Sequence, residues 1–449
     1  MKKELYHTFA IALPLILGNI TQICYALIDT AMIGRIGYYE LAAASLVANV
    51  VSIPQVMGMG LVMAITPLVA IANGEKNVSK ASNLLFNGMI MAIVAGVVLA
   101  IIVHFLAYLL PYFGQEEKVV LLSKNYLIIM GYSLLPMMIF LGCKQFADGL
   151  EFTKTSMILS LLSLPLNAFL CWLLIYGNLG MPKLGVEGAG WATLISRVAL
   201  AVSFILVICK HTTFTPFILA SKSAWKASTQ TIKNLLKIGV PSSLQYFMEA
   251  GAFSVSGIMV GWLGAVPQAA HQIALNCASF TFMAALGFSM AGSIRVSNAF
   301  GRKDANALLL IGKSTIYTGL AYGIASAVLL VVSGRYLPLL FTQDAKVVAV
   351  AASLLVYAAL FQISDATQAI GVGLCRGVKD VIKPTIYVAI AYWVIGIPVG
   401  YLLAFTYKMG ATGIWIGLVV GLTFSSVLLN HRFFTNMHHI HKNLTKKAY

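Results

Sequence analysis

The sequence predicts an all-α polytopic membrane protein with about twelve transmembrane helices in two six-helix lobes related by internal duplication. Three observations predict this fold class: an apolar composition, apolar segments long enough to cross a membrane, and a match of the chain to itself. Of the 449 residues, 59% are hydrophobic and 10% are charged, and the mean hydropathy is +0.88. Soluble domains carry roughly 25% charged residues, so the composition excludes an ordinary soluble protein.

Apolar segments of about 20 residues, the length that crosses a bilayer, recur along the whole chain. The predicted spans lie near residues 8–33, 44–72, 84–110, 119–147, 156–177, 186–209, 236–261, 267–299, 308–332, 346–375, 384–406 and 411–434. They divide the chain into an N-lobe at 1–209, a basic cytoplasmic connector at 210–235, a C-lobe at 236–434 and a basic cytoplasmic tail at 435–449.

The two halves match each other at a shift of 227 residues, without a gap, over about sixty residues. Pro14 then falls on Pro241, and Gly60 falls on Gly287. Further pairs at this shift are Met32 with Met259, Gly34 with Gly261, Asn49 with Asn276, and Gly74 with Gly301. Because six helices is an even number, we expect the halves to share one orientation, with a substrate path between them.

The basic residues are distributed as in a membrane protein. If the N-terminus is cytoplasmic, 22 Lys and Arg lie in inside segments, seven lie in outside segments, and Arg197 lies within a span. This bias predicts a multi-pass protein of the cytoplasmic (inner) membrane with both termini in the cytoplasm. The net charge of +16 is therefore mainly a topology signal that also attracts anionic membrane lipid, and we expect no nucleic-acid partner.

Three of the fourteen acidic residues lie within spans: Asp29 in the first, Glu249 in the seventh and Asp365 in the tenth. An ionised carboxylate in mid-bilayer costs at least about 2–3 kcal/mol, so each must face a partner, a cation or water. Arg197, the clear base within a span, cannot neutralise all three. Glu249 and Asp365 lie in the same half at comparable depth, so the pair could take up a proton. The same oxygens could instead bind Na⁺, which makes the pair the candidate metal site.

Polar and aromatic residues near these acids are candidates for a substrate cavity. They are Asn167, Thr193, Gln22, Tyr25, Phe253, Phe282, Met283, Phe361 and Gln362. Gln22, Tyr25 and Asp29 share one face of the first span, since they are three and four residues apart. Aromatic and Met side chains suit flat cations, but each residue alone could equally serve core packing or a helix–helix hydrogen bond.

Five sequence segments resemble the multidrug and toxic compound extrusion (MATE) family. They are ALIDTAMIGRIG, GVEGAGWATLIS, SMAGSIRVSNAFGRKD, FQISDATQAIGVGLCRGVKD and YWVIGIPVGYLLAF, in both halves and in the expected order. The resemblance implies two lobes that form a V around a central cavity, and cation-coupled export of organic cations and other drugs.

Within this family the chain is most similar to the norfloxacin-exporter branch, whose members keep a Glu in the seventh helix and an Asp in the tenth. Glu249 and Asp365 stand at those positions, and Asp29 matches the first-helix acid. Other members have an Asp four residues after an Asn in the fifth helix, whereas Cys171 follows Asn167 here. This departure from the family pattern argues against a complete N-lobe cation site, so we expect ion coupling chiefly at Glu249 and Asp365 of the C-lobe, with Asp29 as a further cation-coupling candidate.

The resulting hypothesis is a secondary antiporter that exports organic cations or drugs while H⁺ or Na⁺ moves inward. The main alternative is a lipid-linked oligosaccharide flippase of similar two-lobed fold, whose cavity should be rich in Arg and Lys to bind pyrophosphate. The sequence has no nucleophile–base pair, HExxH or phosphate loop, so we predict no enzyme. We expect no cofactor beyond the coupling ion, small-molecule drugs and membrane lipid as partners, and a monomer.

Overall fold

The computed structural model describes the backbone of residues 2–220 and 225–446 and the side chains of residues 4–220 and 225–438. Within these ranges the chain is helical and has no strand, which confirms the predicted all-α class. The α-helices are α1 (Lys2–Gly34), α2 (Tyr38–Val62), α3 (Ile65–Gly74), α4 (Val78–Leu109), α5 (Glu117–Tyr132), α6 (Leu134–Gly149), α7 (Thr153–Tyr176), α8 (Val186–Lys210), α9 (Thr215–Ile218), α10 (Thr229–Gly261), α11 (Ala265–Gly301), α12 (Ala305–Ser333), α13 (Ala345–Gly377), α14 (Ile382–Ala389), α15 (Ile397–Tyr401) and α16 (Ala411–Lys446). Residues 221–224 of the predicted connector and 447–449 of the predicted tail lie outside the described residues.

Eleven helical segments in the described part of the chain are long and apolar enough to cross a membrane. Three of them join consecutive helices: α2 with α3 (Tyr38–Gly74), α5 with α6 (Glu117–Gly149) and α14 with α15 (Ile382–Thr406). The predicted seventh span corresponds to α10, which is 33 residues long but less apolar, because Ser242, Ser243, Gln245 and Glu249 interrupt it. With α10, the helices account for the twelve predicted spans.

A π-helical segment, Ile390–Gly396, joins α14 to α15, and a second, Leu402–Thr406, follows α15. Pro398 is the second residue after the first of these segments. Proline has no backbone N–H and cannot continue the regular hydrogen-bond ladder. Wider π turns inside helices are frequent at functional sites, and the first segment carries Tyr392, which belongs to the candidate site described below.

The duplication is visible in the turns as well as in the helices. Left-handed backbone conformations at non-glycine residues occur in matched pairs: Lys76 (φ 54°) with Lys303 (φ 58°), Glu151 (φ 65°) with Lys379 (φ 63°), and Leu179 (φ 53°) with Lys408 (φ 55°). Such conformations are uncommon for residues with a Cβ atom. Their recurrence at shifts of 227, 228 and 229 residues shows that corresponding turns in the two halves each contain a left-handed residue.

The described chain forms two compact units. Residues 17–243 form one, called the N-unit, and the described residues up to Ile16 together with those from Leu244 onward form the other, called the C-unit. Helices α1 and α10 therefore each contribute to both units. The lobe boundaries predicted from the sequence, at residues 209 and 236, stay predictions.

Glycine allows α1 and α10 to pack closely where they pass from one unit to the other. In the N-unit, a Cβ atom on Gly60 would lie 2.6 Å from the Cα atom of Ser243. In the C-unit, a Cβ atom on Gly287 would lie 2.4 Å from Cγ1 of Ile16. Both glycines and both partners are related by the same 227-residue shift, so the duplication extends to this packing detail.

Candidate ion-binding site and family

The Glu249 and Asp365 side chains line one small cavity in the C-unit. Glu249 is contributed by α10 and Asp365 by α13, and Phe282 and Ser289 of α11 form part of the cavity wall. The cavity volume is about 20 Å³, which holds about one water-sized particle. The structure thus brings together the two acids that the sequence placed in the same half.

Amide side chains hold the Glu249 carboxylate in place. Its Oε1 atom accepts a hydrogen bond from Nε2 of Gln368 at 3.0 Å and one from Nε2 of Gln245 at 3.3 Å. The Gln368 Oε1 atom in turn accepts a hydrogen bond from the Tyr392 hydroxyl at 3.2 Å. A chain of side-chain contacts therefore connects the π-helical segment to the carboxylate.

Asp365 has a different environment. The residue is 6% exposed, and in the described part of the chain no group donates a hydrogen bond to its carboxylate. Its charge interacts with that of Glu249 across the cavity. A buried carboxylate without hydrogen-bond donors is costly, and binding of a proton or a cation removes that cost.

Arg376 also lines this cavity, although it lies just beyond the predicted tenth span, residues 346–375. It is 5% exposed, and its charge acts on Glu249. The sequence spacing does indicate this position for Arg376. It lies eleven residues after Asp365, about three helical turns along the helix, and therefore on the same face of α13. With both acids ionised, the two carboxylates and one guanidinium leave one net negative charge, which a single monovalent cation or proton would neutralise.

The N-unit contains the third acid, Asp29 of α1. Its Oδ2 atom accepts a hydrogen bond from the Thr193 hydroxyl at 3.2 Å, and its Oδ1 atom accepts one from the Cys171 thiol at 3.4 Å. Asn167 is fully buried beside Cys171, and its Nδ2 atom has no hydrogen-bond partner among the described residues. Asp29, Asn167 and Thr193 therefore form one polar cluster around α1, α7 and α8.

Gln22 and Tyr25 line another cavity, in the N-unit, with a volume of about 100 Å³, and Arg197 lines it as well. The Tyr25 hydroxyl donates a hydrogen bond to the backbone oxygen of Ser163 at 3.1 Å. Arg197 donates from Nη1 to the Ser133 hydroxyl at 2.7 Å, and its charge interacts with that of Asp29. No nitrogen of Arg197 lies within 4.0 Å of the Asp29 carboxylate, judged over the described side chains.

The predicted aromatic candidates occupy two different environments in the C-unit. Phe282 lines the Glu249 cavity, and Met283 beside it is half-buried. Phe253 packs edge-to-face against Phe361, with ring centroids 5.9 Å apart. Phe361 and Gln362 are 2% and 1% exposed, so in this conformation they lie inside the helix packing, and their predicted contact with substrate stays a prediction.

Comparison with known proteins identifies the family. The MatE family model matches residues 14–173 and again residues 241–402. The chain belongs to the MatE family. The two matched segments begin 227 residues apart, the shift found within the sequence, which confirms the internal duplication.

Relatives of this MatE protein cover nearly its whole length. It is 30% identical to the probable multidrug resistance protein NorM of Brucella suis biovar 1 over 445 residues, which are 98% of this chain and 94% of the relative. It is also 30% identical to the multidrug resistance protein NorM of Vibrio cholerae serotype O1, with 96% of both chains covered. These matches confirm the resemblance to the NorM branch.

Solved structures of MATE transporters share the fold of this MatE protein. The eukaryotic MATE transporter AtDTX14 has a TM-score of 0.87 at 21% identity, with 98% of this chain and 99% of that one covered. An outward-facing multidrug resistance MATE family transporter of the MOP superfamily has a TM-score of 0.89 at 20% identity, with 98% and 97% covered. The two-lobe MATE fold predicted from the sequence is thus confirmed, and the chain is a multi-pass membrane protein.

Proposed function

We propose that this MatE protein is a secondary antiporter that exports organic cations and other drugs while H⁺ or Na⁺ moves inward. The observation that carries the proposal is the C-unit cavity, in which the half-buried Glu249 and the buried Asp365 lie together. The relatives named multidrug resistance protein NorM support the substrate class. The excess of basic residues in predicted inside segments supports an inner-membrane protein with cytoplasmic termini.

The size of this cavity supports ion binding over drug binding. A volume of about 20 Å³ fits a proton carried by a carboxyl group or one small cation, whereas drug sites measure about 300–1,000 Å³. Occupancy by the ion would change the charge between α10 and α13 and thereby favour one transport conformation over the other. A ligand shifts such an equilibrium only through its different affinities for the two states.

The flippase alternative requires an anion-binding cavity. The Glu249 cavity is lined by Arg376 and by two carboxylates, and with both acids ionised the net negative charge favours a cation over a pyrophosphate. This charge balance supports the antiporter.

The proposal is tested by dye efflux from proteoliposomes under an imposed pH gradient or an imposed Na⁺ gradient, each alone. We expect Asp365→Asn and Glu249→Gln to lose most of the ion-driven efflux, because each removes a charge that the ion would neutralise. Glu117→Gln is the matched control, since Glu117 is exposed at the start of α5. Ion-driven efflux near the wild-type rate in both cavity variants would reject the proposal. The gradient that drives wild-type efflux identifies the coupling ion.

A further inference from the structure

A groove lies between α12 and α16 in the C-unit. Lys313, Ile316 and Tyr317 of α12 form one wall, and Phe434 of α16 forms the other. The groove has a volume of about 320 Å³, within the range of about 300–1,000 Å³ for small-molecule sites. It shares no lining residue with the Glu249 cavity, so it is a separate feature of the C-unit.

Close packing of α16 against α12 forms this groove. A Cβ atom on Gly312 would lie 2.3 Å from Cε1 of Phe433, so the two helices touch at the residue next to Lys313. Nε of Arg432 lies 2.7 Å from Oδ2 of Asp380, which ties the same part of α16 to the turn after α13. Arg432 is therefore already paired, and Lys313 supplies the positive charge in the groove.

Lys313 lies inside a membrane-spanning helix without an acidic partner. The candidate span Ala305–Ser333 has 29 residues and is about 43 Å long, which matches a bilayer with its headgroup layers. Lys313 lies about 12 Å from the start of this span, just below the headgroup layer. No carboxylate lies within 4.0 Å of its Nζ atom, judged over the described side chains. An ammonium group at this depth requires an anion or water.

The exposed face of α12 beyond Lys313 is apolar. Its exposed side chains toward the other end of the helix are Tyr317, Leu320, Ile324 and Val328. Spacings of three and four residues place them on one face with Lys313. The Tyr317 hydroxyl has no hydrogen-bond partner among the described residues, so it is available to a polar group next to the ammonium. A cation followed by an apolar face matches a phospholipid, with its phosphate at Lys313 and an acyl chain along α12.

The charge at this end of α12 favours an anionic lipid over a zwitterionic one. Arg302 and Lys303, in the turn before α12, are exposed, and Asp304 caps the first turn of the helix. In the orientation predicted from the sequence this end faces the cytoplasm, where anionic lipids attract basic segments. A zwitterionic lipid carries its own cation beside the phosphate, so it gains less from Lys313.

We propose that the groove between α12 and α16 binds one anionic phospholipid of the inner leaflet. Lys313 pairs with the lipid phosphate, the Tyr317 hydroxyl donates a hydrogen bond to the phosphate or the glycerol ester, and Phe434 contacts the acyl chain. This site lies beyond the proposed export function and does not depend on it.

Lipid binding to the purified full chain tests the proposal without requiring transport. The probes are dioleoylphosphatidylglycerol and dioleoylphosphatidylcholine, which share their acyl chains and differ in net charge. Native mass spectrometry gives the Kd of each lipid for wild type, Lys313→Gln, Lys313→Arg and Lys210→Gln. Lys210 is the matched control, because it is an exposed lysine in the last turn of α8.

We expect wild type to bind the phosphatidylglycerol more tightly than the phosphatidylcholine. Lys313→Gln should weaken phosphatidylglycerol binding about 10-fold, as loss of a charged hydrogen-bond partner does, and should change phosphatidylcholine binding less than about 2-fold. Lys313→Arg and Lys210→Gln should resemble wild type. Equal loss in Lys313→Gln and Lys210→Gln would show general attraction to basic residues and overturn the proposal, as would unchanged binding in Lys313→Gln.

Two further measurements test the position of the site and the nature of its ligand. Phe434→Ala should weaken binding of both lipids alike, because it removes a wall that contacts the acyl chain. Unchanged binding of both lipids would place them outside the groove and overturn the proposal. Glycerol 3-phosphate, which has no acyl chain, should fail to displace the phosphatidylglycerol. Displacement would show a site for free phosphate esters and reject the lipid assignment.

Discussion

At the scale of single residues, several charged side chains are buried within one unit and paired there. Nζ of Lys144 lies 2.7 Å from Oδ2 of Asp148 within α6, and the Ser156 hydroxyl donates to the other carboxylate oxygen. In the C-unit, Arg295 is paired with Glu4 of α1. Removing one partner of a buried pair leaves an uncompensated charge, which costs far more than loss of an exposed pair.

Replacement of Lys144 by Met should therefore destabilise the protein strongly. The side chains of Lys144 and Asp148 are 6% and 0% exposed, and breaking such a pair costs about 3–5 kcal/mol. Lys80→Met is the matched control, because its pair with Glu75 is exposed and is worth about 0–1 kcal/mol. Thermal unfolding of the detergent-solubilised protein measures both. Equal Tm values for the two variants would contradict the prediction.

At the scale of elements, the packing of α2 against α10 depends on the absence of a side chain at Gly60. A Cβ atom there would lie 2.6 Å from the Ser243 Cα atom and 2.7 Å from its backbone nitrogen. Backbone atoms cannot move aside as a flexible side chain does, so the helices would have to separate. The same constraint applies to α11 against α1 at Gly287.

Gly60→Ala should destabilise the N-unit by about 1–3 kcal/mol, the usual cost of overpacking a close contact. Gly18→Ala is the control, because nothing lies within 4 Å of the added Cβ atom and alanine is the better helix former. The two Tm values should move in opposite directions. A Gly60→Ala protein as stable as wild type would show that α2 and α10 can separate at little cost.

The first π-helical segment supplies a testable link to the candidate ion site. Tyr392→Phe removes the hydroxyl that donates to Gln368, which in turn donates to Glu249. A typical hydrogen bond contributes about 1 kcal/mol, so we expect the half-saturating concentration of the coupling ion to change about 5-fold. Tyr387→Phe on α14, away from Gln368, should have no effect. Unchanged ion dependence in Tyr392→Phe would mean that Gln368 holds its position without this contact.

At the scale of the whole molecule, the distribution of basic residues predicts an orientation in the membrane. Both termini should be cytoplasmic, since most Lys and Arg fall in segments on that side. A green fluorescent protein fused to the C-terminus should therefore fluoresce, and alkaline phosphatase fused there should be inactive. Alkaline phosphatase fused after Lys183, in the loop between α7 and α8, should be active. The reverse pattern would invert the proposed topology.

Much of the fold was predictable because it depends on local properties of the sequence. Apolar length alone predicts a membrane span, and a fixed shift between identical residues reveals a duplication. Glu249 and Asp365 were identifiable for the same reason, since a carboxylate in an apolar helix stands out from its neighbours. Helix α10 is less apolar than the other spans, but its position was still predictable, because the first span of the N-terminal half matches it at the 227-residue shift.

Other parts of the site depend on how the helices pack and could not be predicted from local properties of the sequence. Arg376 lies at the end of a span in a basic segment, where an arginine that sets topology and one that lines a cavity look alike. Only the approach of α10, α11 and α13 shows that its side chain faces Glu249. Arg197 was recognised as a base within a span, but the distance that separates it from Asp29 depends on how α1 and α8 pack.

The sequence by itself determined the helical membrane class, the duplication, the family resemblance and the acids that an ion would need. Tertiary structure alone decided which charges share a cavity, which are paired and which retain unused hydrogen-bond donors. The physical reason is that hydrophobicity and periodicity are summed along the chain, whereas electrostatic interaction and burial depend on distances between residues far apart in sequence.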